Sequence, residues 1–519
     1  MTMQDSTQDS TVDQTSQQTF DSLSPINGDV VGTHPVHSAE DVSAAVLRAH
    51  EEAAWWSALS FDERAEQLLT WKGVITRRMA QLAEVMHQET GKPHGDALLE
   101  ATLAIDHLDW AAKNADKVLK RRKVPSGLLM ANQAATVEYK PLGVVGVIGP
   151  WNYPVFTPMG SIAYALAAGN AVVFKPSEYT PGVGEWLART FHEAVGRPVL
   201  SVVTGLGETG AALCHAGADK IAFTGSTATG KRVMAACAEH LTPVVIEAGG
   251  KDAVIIDHDA DIEAAADAVL WGACANAGQT CTGVERVYVH EKVYDAFVAE
   301  IVKQAETLRA DDSADSPLGP ITMPKQLDVI RSHIDDALAR GGRALVGGAG
   351  AVGDRFVQPT ILVDVPEDSL AVCEETFGPT VTIARVGTVE EAVRRTNATA
   401  YGLGSTVFSK ARGMEIAERI RSGMTAVNGV ITFAGVPSLP FGGVGDSGFG
   451  RIHGPDGLKE FTYAKSIARQ RFKPVMPLTS FKRTAKHEQQ LVQLMTMLHG
   501  RGTTLPKLGK PVKGRGKKA

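Results

Sequence analysis

Cysteine is scarce in this sequence, and its placement argues against two kinds of protein. The 519 residues include five cysteines, an odd number that is scattered without a CxxC pair. This usage speaks against both a disulfide framework and a zinc site, and it fits a reducing compartment. Because the histidines also fail to cluster in the sequence at ligand spacing, we expect no bound metal.

The sequence also lacks a targeting signal and a run long enough to cross a bilayer. Residues 1–25 contain neither Lys nor Arg and no apolar stretch, whereas a secretory signal needs both a basic start and an apolar run. Their Ser, Thr, Gln and Asp content predicts a disordered polar leader. With no uninterrupted apolar segment of bilayer length, we expect a cytoplasmic protein. The net charge of -6 is small for this length and favours no nucleic-acid partner.

What the sequence does contain is a regular alternation of two kinds of segment. A chain of 519 residues exceeds the size of a single hydrophobic core, so we expect two or three structural units. From Thr136 onward, short β-branched runs end on Gly or Pro and are separated by helical stretches, which predicts an α/β fold with a parallel sheet. Before them, 42–56 and 60–88 have helical periodicity. The second stretch begins with the capping box Ser60 and Glu63 and ends at "TGKP".

Two segments at predicted strand ends have the pattern of a nucleotide site. "FTGSTATGKR" runs from a strand through Gly225 into a helix, whose unpaired N-terminal amides suit a phosphate. An ordinary strand-to-helix turn has the same pattern, but "FKPSE" strengthens the interpretation, because Lys175, Ser177 and Glu178 follow another strand, where open α/β sheets bind ligands. A carboxylate there accepts hydrogen bonds from the ribose hydroxyls and repels a 2′-phosphate. NAD is therefore favoured over NADP.

Three polar residues have the chemistry of a reacting centre. Cys281 lies in "NAGQTCTG", where its small polar neighbours offer a thiol no apolar packing, so we interpret it as a nucleophile. Glu247 follows an apolar strand and precedes two glycines, and burial at such a point raises the pKa of a carboxyl toward that of a general base. Asn152, in the turn "GPWNYP", has amide hydrogens that suit an oxyanion.

Seven motifs together resemble the NAD(P)-dependent aldehyde dehydrogenase superfamily in order and in approximate spacing, over about residues 30–472. They are "GPWNYP", "FKPSE", "FTGS", "EAGGK", "GQTC", "EETFGP" and "PFGGVGDSG". The resemblance implies that Cys281 is the catalytic thiol, that Glu247 is the general base and that Asn152 donates to the oxyanion beside the Cys281 amide. One departure is Ala248, where the family commonly has Leu.

The resemblance also implies cofactor and substrate contacts. Lys175 and Glu178 would contact the adenine ribose, Ser226 the pyrophosphate, Glu375 the nicotinamide ribose and Phe377 the nicotinamide. Trp151, Ser177 and Gly225 complete the predicted cofactor contacts. Asn428 would lie near the substrate tunnel. The aromatic residues predicted to line the tunnel are Trp151, Phe156, Trp271, Phe433 and Phe441.

The family's architecture implies a Rossmann-type cofactor domain, an α/β catalytic domain and a small β bridging segment. The bridging strands of such enzymes pair with a neighbouring subunit, which implies a homodimer or homotetramer. On this chain we expect a leader at 1–25, the NAD-binding domain at 26–121 and 142–249, the catalytic domain at 250–461, the bridging segment at 122–141 and 462–472, and a basic tail at 473–519.

The implied reaction is oxidation of an aldehyde to the acid through a thioester on Cys281. The segment before the nucleophile, Ala273–Cys274–Ala275, lacks the Arg that succinic-semialdehyde enzymes of the superfamily often have there, so we favour an apolar or aromatic aldehyde. A CoA-acylating enzyme is an alternative that Glu247 disfavours. A non-catalytic protein that retains the fold is another.

The C-terminal segment is strongly basic, and it permits two interpretations. Residues 478–519 have ten Lys or Arg against one Glu, a charge near +9 that leaves the remainder near -15. A short predicted helix has one apolar face, formed by Leu491, Leu494, Met495 and Leu498. With the lysines behind it, this helix suits docking on an anionic membrane. Alternatively, it caps the tunnel or the dimer and a solvated tail follows.

Overall fold

The structure is a computed structural model that describes residues 18–313, 315–474 and 476–500. In these residues the helices are α1 Ala39–Ala58, α2 Phe61–Arg77, α3 Met79–Thr90, α4 His94–Leu119, α5 Phe156–Ala168, α6 Pro181–Val195, α7 Gly207–His215, α8 Thr227–Ala238, α9 Ile262–Cys274, α10 Glu291–Ala305, α11 Lys325–Ala339, α12 Leu370–Cys373, α13 Val389–Asn397, α14 Gly413–Ala417, α15 Gly454–Glu460 and α16 Ala485–His499. The strands are β1 Thr19–Leu23, β2 Val30–Pro35, β3 Arg122–Val124, β4 Gln133–Pro141, β5 Val144–Ile148, β6 Ala171–Lys175, β7 Leu200–Val202, β8 Lys220–Gly225, β9 Val244–Ala248, β10 Asp252–Ile256, β11 Val284–His290, β12 Arg343–Val346, β13 Thr360–Val363, β14 Thr380–Val386, β15 Ser405–Phe408, β16 Ala426–Val427, β17 Gly448–Phe449 and β18 Thr462–Gln470.

Two sheets carry the α/β architecture that the alternation predicts. The first has the order β17-β9-β8-β5-β6-β7, and the second has the order β12-β13-β14-β11-β10-β15-β16. Apart from β17 and β12, the strands within each sheet are parallel. The central strands are buried on both faces, which is why they read as continuous β-branched runs. The carboxyl ends of such strands are where ligands bind.

One strand of the first sheet comes from late in the sequence. The segment expected to be catalytic, 250–461, contains β17, and β17 pairs antiparallel with β9 in the first sheet, Gly448 opposite Glu247. A two-residue strand has too little side-chain pattern to predict this return from sequence. The strand that carries Glu247 therefore lies between β8, which precedes it in the sequence, and β17, which comes from a distant part of the chain.

The N-terminal helices follow the predicted pattern with one break. The capping box is present, since Ser60 accepts from the Glu63 amide and the Glu63 side chain accepts from the Ser60 amide. The predicted helix 60–88 is divided at Arg78, whose φ of -111° ends α2 before α3 begins. Because α2 and α3 both pack on α4 and α6, tertiary packing sets this break. Gly91, with φ of 71°, ends α3 as the "TGKP" signal predicts.

Part of the predicted leader is ordered. β1 pairs antiparallel with β2, and the buried Ser22 hydroxyl donates to Glu89 at 3.3 Å. Polar composition alone missed this strand, because its stability comes from pairing with a later segment. Residues 1–17 of the leader lie outside the described residues.

The chain divides into two compact units. The larger unit consists of the chain up to Lys120 and of Tyr139–Ala464. The smaller unit consists of Arg121–Glu138 and of the chain from Lys465 onward. A three-stranded sheet with the order β18-β4-β3 is built from the segments expected to bridge subunits. The predicted C-terminal helix is confirmed as α16. Within the described ranges, no helix combines the length and apolar character that a membrane span requires.

Candidate active site

The loop that carries Cys281 is held in an unusual backbone conformation. After α9, Asn276, Ala277 and Gly278 all have left-handed φ angles of 53°, 55° and 72°. A side chain at Gly278 would place its Cβ 2.1 Å from the Gly378 carbonyl carbon, so only glycine fits there. Non-glycine residues in this region cost energy and persist where the surroundings impose them, as at functional sites.

Gln279 fixes this strained loop from inside the protein. Its buried side-chain amide donates to the carbonyls of Asn276 at 2.9 Å and Pro320 at 3.2 Å, and its oxygen accepts from the Thr322 amide at 2.8 Å. These bonds determine where the next turn begins. Cys281 is left partly exposed at the end of the loop.

Glu247 is the carboxylate that faces this thiol. It lies near the end of β9, and its Oε1 accepts from the Cys281 sulfur at 3.6 Å, while Oε2 accepts from Thr224 at 3.2 Å. Burial raises the pKa of Glu247 to about 7. Burial, followed by the negative charge of Glu247, raises the pKa of the Cys281 thiol well above its usual range. At neutral pH the thiol therefore keeps its proton, and the partly ionised Glu247 carboxyl is the nearby base that can accept it.

Asn152 is buried beside the same loop. Its side-chain amide donates to the Gln279 carbonyl at 2.9 Å, which uses one of its two N–H groups. The backbone carbonyl of Asn152 accepts from the Lys92 ammonium at 2.9 Å and from the Asn276 side-chain amide at 3.0 Å. The turn and the nucleophile loop are thus connected directly.

A buried ion pair missed by the sequence analysis holds this turn. Lys92 and Glu100 have fully buried side chains in direct contact. Glu100 also accepts from the amides of Val155 and Phe156, at 2.8 Å and 3.0 Å, and so caps the start of α5. The sequence signal for this pair is Glu100 within the apolar run "ALLEATLAI". A single Glu in such a run is equally typical of an exposed position on a helix.

The predicted adenine-side residues line one outer cleft. Lys175, Ser177 and Glu178 lie there with Gly225 and Ser226. Lys175 is buried, and desolvation lowers its pKa; its Nζ lies 3.8 Å from the half-exposed Glu178 carboxylate. Ser226 caps α8 by accepting from the Thr229 amide, so the helix N-terminus opens toward the cleft.

A central cleft continues from the outer one toward the nucleophile. The two share Trp151, Gly225 and Ser226, and the central cleft adds Glu375, Phe377 and Cys281. The Trp151 and Phe377 rings meet edge to face with centroids 5.5 Å apart. Burial raises the pKa of Glu375 to about 8, and its carboxylate accepts from the Gly250 amide at 2.9 Å.

The central cleft is built for close approach of a ligand. A Cβ at Gly249 would lie 2.2 Å from the Glu375 carboxylate, so a side chain there would displace this carboxylate. The loop of Glu375 is held by Glu285, which accepts from the amides of Thr376 and Phe377 and contacts the buried Lys251. The carboxylates, aromatic rings and open helix terminus of the two clefts fit a nicotinamide dinucleotide.

An inner cavity lies on the other side of the thiol. Both Cys281 and Glu247 line it, together with the predicted tunnel residues Phe156, Trp271 and Phe441. Trp271 is 44% exposed, as expected at a mouth. Because Cys281 also lines the central cleft, its sulfur stands where the two spaces meet.

Two residues expected at the tunnel lie elsewhere. Phe433 is buried outside the lining of the inner cavity, with its ring 6.4 Å from that of Phe441. Asn428 exchanges hydrogen bonds with the backbone of Ser409, at 3.0 Å and 3.1 Å. Trp151, expected at both the tunnel and the cofactor, lines the clefts on the cofactor side. Helix and loop packing decides these positions, and aromatic character alone does not.

Comparison with known proteins agrees with this arrangement of thiol, carboxylate and clefts. The model of the "Aldehyde dehydrogenase family" matches residues 11–467. The chain belongs to the aldehyde dehydrogenase family. Members of this family act on small aldehydes and use NAD(P). The motif-based resemblance and the predicted fold class are thereby confirmed.

Relatives within the aldehyde dehydrogenase family carry different substrate and cofactor names. The chain is 35% identical to "4,4'-diapolycopene aldehyde oxidase" of Methylomonas sp, over 86% of this chain and 85% of that protein. It is 36% identical to "Putative succinate-semialdehyde dehydrogenase [NADP(+)] 2" of Mycobacterium ulcerans, over 86% and 87%. The crystal structure of PnpE in complex with nicotinamide adenine dinucleotide superposes with a TM-score of 0.84 at 36% identity, covering 90% of this chain and 96% of that one.

Proposed function

We propose that this aldehyde dehydrogenase oxidises an apolar or aromatic aldehyde to the carboxylic acid with NAD. The observation that carries the proposal is the 3.6 Å separation of the Cys281 sulfur from the Glu247 carboxylate, at the meeting point of the inner cavity and the central cleft. A substrate entering from one side and a cofactor from the other reach the same sulfur.

Cys281 forms the bond to the substrate. Its thiol proton passes to Glu247, and the sulfur adds to the aldehyde carbon. The second N–H of Asn152 and the Cys281 backbone amide are the proposed donors to the oxyanion that develops. A dinucleotide held at its nicotinamide end by Glu375 and Phe377 would supply the acceptor for the hydride of this carbon. The product on the sulfur is a thioester.

Glu247 completes the cycle by activating water. Its raised pKa, about 7, suits a group that both accepts a proton from water and returns it to the medium. Hydroxide attack on the thioester releases the acid and restores the thiol. The balance is one aldehyde, one NAD⁺ and one water giving one acid, one NADH and one proton.

The proposed cofactor contacts favour NAD over NADP. Lys175 and Glu178 lie beside each other at the end of β6, and the carboxylate would accept from ribose hydroxyls and repel a 2′-phosphate. Ser226 at the N-terminus of α8 would contact the pyrophosphate. Glu375 and Phe377 would hold the nicotinamide end. The relatives differ here, since one is named for NADP and a structural neighbour contains NAD.

The lining of the inner cavity supports an uncharged substrate. Its described lining residues include no Lys or Arg, and its aromatic wall stands beside the carboxyl groups of Asp96 and Glu100. A substrate carboxylate would find no cationic partner among these residues and would lie near Asp96, while the Glu100 carboxylate is already paired with Lys92. The cavity therefore favours an apolar or aromatic aldehyde over a succinic-semialdehyde type of substrate.

The deciding experiment is a panel of aldehydes assayed for NADH formation with and without CoA. We expect aromatic and aliphatic aldehydes to be oxidised without CoA, and succinic semialdehyde to be a poorer substrate. Activity that requires CoA would favour the acylating alternative, which the presence of Glu247 opposes. Absence of NADH formation with every aldehyde would favour a non-catalytic protein.

We also propose a cytoplasmic homodimer or homotetramer that touches membranes peripherally. In the sheet β18-β4-β3 the outer strands have unpaired edges within the described chain, which suits pairing with a second subunit. The apolar face of α16 has Leu491, Leu494 and Met495 half-buried and Leu498 exposed. With the basic residues around it, this helix suits an anionic lipid surface.

A further inference from the structure

Two helices of the first sheet end with metal-ligating side chains close together. His215 lies in the last turn of α7, and Glu239 and His240 follow α8. One donor atom from each of the three residues lies within 4.8 Å of the others. The sequence analysis expected no metal because these histidines are far apart in sequence, and helix packing brings them together.

The three side chains are free to take a ligand. In the described part of the chain none of them is engaged in a hydrogen bond; His215 Nδ1 and Glu239 Oε2 are 3.9 Å apart, and the two imidazole rings have centroids 5.8 Å apart. All three residues are exposed, so water can complete the coordination sphere. The cluster is therefore open from the solvent.

A second group in the described residues, Asp257, His258 and His290, is less suitable. His258 Nδ1 already contacts Asp257 at 2.8 Å, and the other carboxylate oxygen of Asp257 accepts from Ser409 at 3.3 Å. His290 Nδ1 accepts from the Lys292 amide and caps α10. One ring nitrogen of each histidine and both carboxylate oxygens of Asp257 thus already have partners in the fold.

The electrostatics of the first cluster favour a cation. The carboxyl end of a helix carries partial negative charge, and two such ends, those of α7 and α8, converge here with the Glu239 carboxylate. A donor set of two imidazoles and one carboxylate binds Zn²⁺, Co²⁺ and Ni²⁺ in preference to Mg²⁺ and Ca²⁺. We propose that His215, Glu239 and His240 form a binding site for a divalent transition-metal ion.

The location gives such an ion a structural consequence. α7 and α8 both line the outer cleft, α7 through Ala211 and Cys214 and α8 through Val233 and Ala236. An ion held by His215 on one helix and His240 after the other ties together the two helices that form this wall. The bound ion stabilises the helix pair, and with it the folded protein, through linkage.

The test is Co²⁺ and Zn²⁺ binding to the full chain without an affinity tag. A background with both Cys281→Ala and Cys373→Ala removes the two thiols that are not buried, which would otherwise compete for the metal. We expect one ion per chain, a cobalt spectrum without thiolate charge-transfer absorption, and a rise in Tm with Zn²⁺. Affinity should fall by about tenfold or more in His215→Ala and in His240→Ala, as for loss of a coordinating group.

Two control variants separate this site from other sources of binding. His258→Ala tests the second group, and His192→Ala removes an exposed histidine elsewhere; both should retain the wild-type affinity and Tm rise. Unchanged binding in His215→Ala and His240→Ala, or loss confined to His258→Ala, would overturn the proposal. Circular dichroism of each variant without metal checks that the fold is intact. We expect no change, because the substituted side chains of the cluster are exposed.

Discussion

The sulfur of Cys281 lies 3.6 Å from a carboxylate oxygen of Glu247, and burial raises the pKa of both groups. Near neutral pH the thiol is therefore protonated, and the partly ionised Glu247 carboxyl is the base within reach of its proton. The same carboxyl is thus placed to take the thiol proton first and a water proton later.

The first prediction concerns the pH dependence of thioester hydrolysis. Because Glu247 must be ionised to accept a proton from water, the single-turnover hydrolysis rate should rise with pH and level off above an apparent pKa of about 7. The stability contribution has the opposite sign. Because the pKa of this carboxyl is raised from its ordinary value of 4.5, it stabilises the folded protein at low pH, and that effect is lost as pH rises through about 7. A rate that is flat across pH 7 would contradict this role.

The second prediction concerns the buried pair Lys92 and Glu100. Lys92→Met leaves the Glu100 carboxylate buried without its cation, which should cost about 3–5 kcal/mol in the free energy of unfolding, measured in urea. Loss of the Lys92 bond to the Asn152 carbonyl should also lower kcat more than it raises KM for the aldehyde.

A matched control is Lys113→Met, which breaks the exposed pair with Asp109. Exposed ion pairs contribute only about 0–1 kcal/mol, so this variant should be close to wild type in stability and in kcat. Equal effects of the two substitutions would show that the buried pair does not position the Asn152 turn.

The third prediction concerns cofactor choice. Glu178→Gln removes the charge that repels a 2′-phosphate while preserving the shape of the side chain. The ratio of kcat/KM for NADP to that for NAD should rise by about tenfold or more, since like-charge contacts cost several kcal/mol. Glu208→Gln, which neutralises another carboxylate of the outer cleft, should leave the ratio nearly unchanged. Equal shifts in both variants would point to the general charge of the cleft.

The fourth prediction concerns the basic C-terminal segment. The full chain should co-sediment with vesicles that contain anionic lipid, and binding should weaken as salt is raised because the attraction is screened. A chain that ends at Phe472 should remain in the supernatant. If both chains bind equally, α16 and the tail have no role at membranes and the capping interpretation is favoured.

Local signals in the sequence were sufficient for much of the fold. The β-branched runs, the capping box at Ser60 and the helix stop at Gly91 each depend on neighbours within a few residues, and the structure has all of them. The break at Arg78 and the pairing of β17 with β9 depend on contacts with distant segments, which no local pattern encodes.

The candidate site was predictable to a similar extent. Cys281, Glu247 and Asn152 stand in conspicuous motifs, and the structure brings their loops together. The residues that hold those loops, such as Lys92 and Glu100, were not predicted, because a buried charge and an exposed one look alike in sequence. Their roles follow from burial and hydrogen bonding.

The central claim is that Cys281 is acylated and that Glu247 releases the acyl group. The most direct test is the intact mass of Glu247→Gln mixed with NAD and a substrate aldehyde. Because Glu247 also takes the thiol proton, acylation should be slower in this variant, but the acyl group should then accumulate. We predict an adduct equal to the aldehyde less two hydrogens, mapped to Cys281 and formed slowly with one NADH per active site, and turnover lowered by about 10²-fold or more. No adduct should form in Cys281→Ala. An unmodified Glu247→Gln protein with full turnover, or undiminished oxidation by Cys281→Ala, would contradict the account.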